Sequence, residues 1–581
     1  MKQDLYFKED TPLHTVNRIK QVLDRLNITV EEEWMVNHDK IYSLSLKSVN
    51  YPFLSNGKGS TEDYAKASAY AEFIERLNSE LFFRMFDNYN MIYGLSKINT
   101  DLKEYYGFNE YCKVLLNSHK SCNAEAFYKS VSDVLLTKVC TKVCFINKDS
   151  YKKLELPSLI LDIFYGSNGM ASGNTLCEAK NQAIFEIFER YALCELFRDN
   201  INIFSDITDY CKLKYETIRE LLSLFESNRL VLKIIDLSID LDLPVILVIA
   251  IDVQEKKYLS AFASHINLRV CVERALNEIL QGRKIKTLKY QMNNLSDIHN
   301  CIDINNINKF FVDNSGSLPL KLLDFNKMDN EVGIIWNDDI RTNDKILKFC
   351  EDKIYNLGFE IYYNIWNNLD FPTIQVIVPG MSEIVKDDYN ELLASYLIEH
   401  EFKSIFSNPD SIKRNSKKIL DHFENINISD GCTLGDLFNI PLNNDSSYLD
   451  ALNFNLLLSI CALYISDFDR AYIYIKRFYF YIVANCEEES IVEYYEIIYY
   501  FINFRRLFNS HEKILSILST YFDVSTLLQI ENDLRNENLF CNIGYIPCIT
   551  KNTCDDCTLT NSCQIRELSI LNSLLRNNRT V

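Results

Sequence analysis

Hydrophobic and polar positions follow more than one period along this chain. From Tyr42 to Ser48 they alternate one by one, which predicts a half-buried strand. Ser158–Tyr165, Val231–Leu237, Pro244–Asp252 and Tyr258–His265 are apolar almost throughout, and predict strands of a sheet packed against helices. Glu331–Trp336, Phe359–Asn364 and Thr373–Val378 add three more predicted strands, and residues 1–40 read as a polar amphipathic helix. From 448 to 530 the character changes: Leu449, Leu452, Leu456, Leu457, Ile460, Ala462 and Leu463 recur at helical spacing, and Ser466–Ala471 turns into a second helix. The pattern predicts an α+β domain over 1–400, a linker with short helices over 401–447, and paired helices of tetratricopeptide type over 448–535. A Cys-rich tail with a terminal helix occupies 536–581.

Helices in the first domain carry acid on one face. Gly166–Thr175 is a glycine-rich stretch leading into Glu178–Arg190, where Glu178, Gln182, Glu186 and Glu189 stack along one side with Arg190 beside the last. Ala183, Ile184, Phe185, Ile187 and Phe188 supply the buried side. The construction occurs twice. Ser-Asn-Gly at 55–57 returns 112 residues later, and Glu72-x-x-Glu75-Arg76 returns 114 later. A third acidic helix, Glu273–Arg283, follows a Ser-His-Ile-Asn turn, where His265 reads as a structural histidine. Like charges on one face destabilise a lone helix, so three such helices are expected to converge on cations. Five or six carboxylates suit magnesium shared with a polyphosphate, because that ion takes oxygen ligands and retains waters and substrate phosphates. The usual nucleotide signatures are missing: Gly57-Lys58-Gly59-Ser60-Thr61 lacks the spacing of a Walker loop, and there is no dinucleotide fingerprint.

Composition narrows the picture. At 581 residues with 47% hydrophobic and 13% aromatic content, the chain can bury a large core in several domains. A formal charge of −19 argues against nucleic acid as the main partner. No apolar run reaches the roughly 18 residues of a membrane span, and the N-terminus lacks a signal-peptide core, so a cytoplasmic protein is expected. Eighteen cysteines in such a chain should be reduced, buried or metal-bound. Cys140 and Cys144 read as core packing.

The ordered set Ser68-x3-Glu72-x2-Glu75-Arg76, Glu178-x3-Gln182-x3-Glu186-x2-Glu189-Arg190 and Arg274-x3-Glu278-x2-Gln281 resembles the nucleotide-binding motifs of the YcaO superfamily. Ser-Asn-Gly-Met at 167–170, Leu-Gln-Gly-Arg at 280–283 and Ile-Val-Pro-Gly-Met-Ser at 377–382 extend the match over the first 400 residues. The resemblance is to the stand-alone bacterial type, an accessory factor to ribosomal-protein methylthiolation. It implies ATP- and magnesium-dependent O-phosphorylation of a peptide backbone amide. It further implies that Glu72, Glu75, Glu186, Glu189 and Glu278 hold magnesium, with Glu72, Glu186, Arg190 and Glu278 at the reacting phosphate. Lys8, Thr15, Ser68, Glu178, Gln182, Arg274 and Gln281 would contact the nucleotide. Relatives are commonly homodimers acting on peptide or protein substrates.

Azoline-forming members of the family typically end in a proline-rich tail, whereas this chain ends Leu-Arg-Asn-Asn-Arg-Thr-Val. Amide activation linked to sulfur transfer is therefore expected, as thioamidation or in support of ribosomal-protein methylthiolation, with a sulfur donor or a radical methylthiotransferase as the partner docked on the helical domain. Azoline formation and a non-catalytic, nucleotide-sensing scaffold are the alternatives. Cys548, Cys554, Cys557 and Cys563, with Cys541 as a fifth candidate, have spacing suited to zinc or an iron–sulfur cluster.

Overall fold

The computed structural model describes all residues except 1–6, 39–40, 87–91, 93–104, 119–123, 138–139, 297–303, 326–327, 341, 385–388, 407–408, 425, 427–428, 442–452, 487, 536–562 and 578–581. The chain forms two compact units, one from residues 1–82, 97–394 and 574–581, the other from 83–96 and 395–573.

The first unit opens with helix α1 (Pro12–Arg25), capped by Thr11, whose hydroxyl accepts from His14 N. The helix stops well short of residue 40. Asn27 takes a left-handed φ of 54°, and the chain then turns into strand β1 (Val30–His38), which pairs antiparallel with β2 (Ile41–Ser48). Strand β3 (Leu54–Gly59) completes this sheet in the order β1-β2-β3. The first glycine-rich segment is thus a strand, not a loop. Its glycines let it press on helix α2 (Glu62–Asn78): a Cβ on Gly57 would stand 2.2 Å from Ala65 O and 2.3 Å from Ala69 N.

Strands β4 (Lys142–Asn147) and β5 (Lys153–Pro157) form a hairpin. Cys140 is buried just before it, whereas Cys144, expected in the core, is exposed on β4. The apolar run after β5 is helix α3 (Ser158–Phe164), not a strand. A short apolar run has no period to separate the two forms, and here Pro157 in extended conformation ends the strand while Ser158, Leu159, Ile160, Leu161 and Phe164 are all buried. Strand β6 (Met170–Ser172) then leads into helix α4 (Leu176–Phe197).

Strands β7 (Ser205–Asp206), β8 (Leu230–Asp236), β9 (Val245–Asp252) and β10 (Lys257–Ser264) precede helix α5 (Leu268–Ile279), and β11 (Asn293–Asn294) closes an antiparallel sheet in the order β11-β10-β9-β8-β7. Both faces of this sheet are covered, which explains the unbroken apolar strands. Along β9, Leu247 and Ile249 join the core around α4, while Ile246, Val248 and Ala250 join the core that contains Cys271, Val272 and Leu276 of α5. Residues 331–336 are irregular. Their bonds go to the buried carboxylate of Asp236, which accepts from Gly333 N at 2.9 Å and Trp336 Nε1 at 2.8 Å. Strands β12 (Tyr362–Trp366) and β13 (Thr373–Ile377) complete the third sheet, β5-β4-β12-β13-β6.

The second unit is helical in its described residues. Helices Phe454–Tyr464, Phe468–Asn485 and Glu489–Leu507 follow one another, and Ile475, Phe478, Ile497 and Phe501 share a core. Residues 401–447 supply the short helices Pro409–Arg414, Ser416–Phe423 and Leu434–Leu437, and Ile419, Leu420 and Phe438 pack into that same core. Among the described residues no helix is long and apolar enough to cross a membrane.

Candidate functional site

The two copies of the repeat, and the third acidic helix, enter their helices in the same way. Thr61 caps α2, Thr175 caps α4 and Asn267 caps α5, each side chain accepting from a backbone N–H of the first turn. Repeat-related glycines are also alike: a Cβ on Gly59 would stand 2.5 Å from Ala65 N of α2, and one on Gly173 would stand 2.8 Å from Ala179 N of α4. Close strand-to-helix packing in both copies aims the acidic faces of α2 and α4 at a common space.

That space is a cavity of about 580 Å³. All thirteen residues expected at the nucleotide and magnesium line it: Lys8, Thr15, Ser68, Glu72, Glu75, Glu178, Gln182, Glu186, Glu189, Arg190, Arg274, Glu278 and Gln281. At one end Lys8 Nζ donates to Glu178 Oε1 at 2.9 Å, and Glu9 N donates to Glu178 Oε2 at 3.0 Å. Thr15 Oγ1 reaches Asn174 Oδ1 at 2.7 Å. Among the described residues nothing donates to the buried Oδ1 of Asn181, which lines the wall.

Toward the middle, Arg274 Nη1 donates to Gln182 Oε1 at 2.9 Å, and its Nη2 lies 3.7 Å from Glu189 Oε1. Glu189 Oε1 also accepts from Ser264 N at 2.9 Å, and Glu75 Oε2 from Ser172 N at 3.1 Å. Arg190 pairs with Glu186 at 2.5 Å and lies over the Phe311 ring, while Arg76 pairs with Glu72. Glu72 and Glu186 keep 27% and 24% of their side-chain surface open, at the cavity wall. Burial pushes the carboxyls of Glu72, Glu186 and Glu189 above their usual range, and Glu75 furthest, since Glu72 and Glu186 add repulsion there.

Sequence reasoning missed Lys58. It stands on β3 among these carboxylates, ion-paired to Glu278, with burial and the neighbouring Arg274 pulling its ammonium down to about 8 against the attraction of Glu189, Glu72 and Glu186. Strand alternation was the available signal: Gly57 and Gly59 are buried against α2, and Asn56 and Lys58 between and before them line the cavity. His265 is buried between the rings of Phe7 and Phe185; its Nδ1 accepts from Asn267 N at 3.0 Å, the bond of a structural histidine.

The donor set fits a hard divalent cation. Its carboxylates outnumber the five lining cations, and the acids that burial has pushed up gain most from a positive ion. Among the described residues no three acidic, histidine or cysteine groups converge as a closed metal cage. Magnesium does not require one, since it is commonly held through one or two carboxylates plus substrate phosphates. Of the tail cysteines, Cys541, Cys548, Cys554 and Cys557 lie outside the described residues, and Cys563 packs against the core of the second unit.

A family model described as "YcaO cyclodehydratase, ATP- and Mg2+-binding" matches residues 56–382. A Haemophilus influenzae protein described as uncharacterized is 25% identical over 395 residues, covering 64% of this chain and 65% of its own length, so this chain spans just under two thirds of that relative. The Escherichia coli "Ribosomal protein S12 methylthiotransferase accessory factor YcaO" is 24% identical over 484 residues, 79% of this chain and 80% of its own. Among solved structures, YcaO from Methanopyrus kandleri bound with AMPPCP and Mg2+ shares 17% identity with a TM-score of 0.39, over 65% of this chain and 93% of that one. A heterocyclase in complex with substrate and cofactor shares 16% with a TM-score of 0.41, over 65% of this chain and 53% of that one.

Proposed function

The chain belongs to the YcaO family of ATP- and magnesium-binding proteins, and from that premise we propose that it activates a peptide backbone amide by phosphorylating its oxygen, for replacement by sulfur. One observation carries the reading: acidic helices α2, α4 and α5 line a single cavity together with Lys8, Arg190 and Arg274.

An amide carbonyl is a poor electrophile. Transfer of the terminal phosphoryl group of ATP to its oxygen makes that oxygen a leaving group, so that a sulfur nucleophile adds at carbon and phosphate departs. Little covalent chemistry is asked of the protein, whose task is alignment and charge neutralisation. Glu72, Glu75, Glu186, Glu189 and Glu278 would hold magnesium, which when bound neutralises the polyphosphate. Lys8, Thr15, Ser68, Glu178, Gln182, Arg274 and Gln281 would orient the nucleotide, and Arg190 would face the charge that builds on the transferred group. Sulfur as the incoming atom is supported by the methylthiotransferase-accessory name of the Escherichia coli relative and by the five cysteines between 541 and 563.

The cyclodehydratase description of the family model favours a second reading, in which a substrate Cys, Ser or Thr side chain attacks the same activated carbon. The products differ: sulfur-for-oxygen exchange adds mass, and ring closure removes water.

Magnesium-dependent ATP hydrolysis by the full chain, compared with Glu186→Gln, tests the shared step. The variant is expected to lose about 100-fold or more of the rate while its melting temperature holds. Undiminished hydrolysis in a folded Glu186→Gln protein would overturn the assignment.

A further inference from the structure

Lys58 differs from the other cations of the cavity in where it comes from. Arg76 and Arg190 each pair with a glutamate on their own helix, four residues before them, and Arg274 bonds to Gln182 of α4. Lys58 comes instead from a strand, β3, and its ammonium is paired with Glu278 of α5 while also facing Glu72 of α2 and Glu186 and Glu189 of α4. It therefore touches the charge of all three acidic helices. Its anchor cannot drift, because Gly57 and Gly59 lock β3 against α2; a Cβ on Gly59 would stand 2.5 Å from Ala65 N. The side chain itself is a flexible four-carbon stem bearing a compact point charge that can move between oxygen partners.

We propose, resting on the nucleotide reading of this cavity, that Lys58 is a resident counter-ion that holds the place of a divalent cation until nucleotide arrives. Its ammonium and a metal ion would draw on the same oxygens and cannot both sit among them at full strength. In the nucleotide-free protein the lysine neutralises Glu278 and the carboxylates facing it, so free metal is kept out. When nucleotide enters with its ion, the ammonium leaves Glu278 and takes a phosphate oxygen as its partner. Metal loading thus depends on nucleotide, which keeps the acidic cluster from filling with free divalent ions. Lys58 is accordingly a positioning residue.

The test is titration of nucleotide-free full-length protein with Mn2+, read by the EPR signal of the free ion. Wild type and Lys58→Arg are expected to bind it weakly, and Lys58→Met at least tenfold more tightly. Adding Glu278→Gln to Lys58→Met should remove that gain, and Lys58→Gln serves if the methionine variant does not fold. A folded Lys58→Met or Lys58→Gln protein that binds Mn2+ no better than wild type overturns the inference. The underlying reading fails separately, and visibly, if wild type takes up no Mn2+ when AMPPCP is added.

Discussion

Lys8 and Glu178 are separated by 170 positions in the chain, and the lysine Nζ donates to the glutamate Oε1 at 2.9 Å. Glu9 N closes on the other carboxylate oxygen, so the segment before α1 is fastened to the first turn of α4. Asn343 Nδ2 adds bonds to Phe7 O at 2.8 Å and to Glu9 Oε1 at 2.6 Å, so several partners hold the segment at the helix entrance.

Truncating Lys8 should therefore weaken nucleotide more than it weakens the fold. The lysine side chain is 37% open, and an ion pair this exposed contributes only about 0–1 kcal/mol to the fold. Lys8→Ala is expected to raise the dissociation constant for AMPPCP about tenfold by calorimetry, with little change in melting temperature. Unaltered affinity would remove the N-terminal segment from the site.

Arg274 bridges α5 to α4 through Gln182, with Glu189 close by. Its planar fork serves both neighbours, which a lysine cannot do. Arg274→Lys should lose most nucleotide affinity although the charge remains. In a double-mutant cycle on AMPPCP binding, Arg274→Ala and Gln182→Ala should couple by about 1 kcal/mol; additive effects would show that the two act independently.

Glycines of the first unit are expected to rank by contact rather than by conformation alone. Gly57→Ala drives a methyl into the backbone of α2, and a cost of about 3 kcal/mol follows from overpacking against atoms that cannot yield. Gly282→Ala meets open space and is strained only by its φ of +67°, at about 1 kcal/mol. Chemical denaturation of the two variants reads the order directly. Equal losses would mean that β3 is free to lift from α2.

His265 should make stability fall in acid. Burial, then Arg274, holds its imidazole down to about 3 from an ordinary value of 6.5, so the folded state resists the proton that the unfolded state accepts. The cost is absent above pH 6.5, grows as pH falls below it by up to about 1.4 kcal/mol per pH unit, and levels off below about 3. The difference in unfolding free energy between wild type and His265→Gln should accordingly shift in the glutamine variant's favour between pH 6.5 and 4. A pH-independent difference would show that the folded protein takes up the proton as readily as the unfolded chain.

Helical spacing placed Glu178, Gln182, Glu186 and Glu189 on one face of α4, and the copy at Glu72 and Glu75 gave α2 the same polarity. Those are local properties of a 3.6-residue period, legible without any fold. The strands Val245–Asp252 and Lys257–Ser264 were legible for the same reason, being long, apolar and bounded by turns. Ser158–Phe164 was not: a short apolar run satisfies either geometry, and which one forms depends on the neighbours that bury it.

Local pattern alone thus determined which helices are acidic and which strands are buried, because both follow from the repeat of a single backbone element. Tertiary structure decided how the carboxylates are neutralised. Lys58 reads in the chain as one residue of a glycine-rich stretch, and it meets Glu278, 220 positions later, only because β3 lies flat on α2 while α5 closes the cavity. Counter-charges are set by distance in space, and no periodicity along the chain encodes that distance.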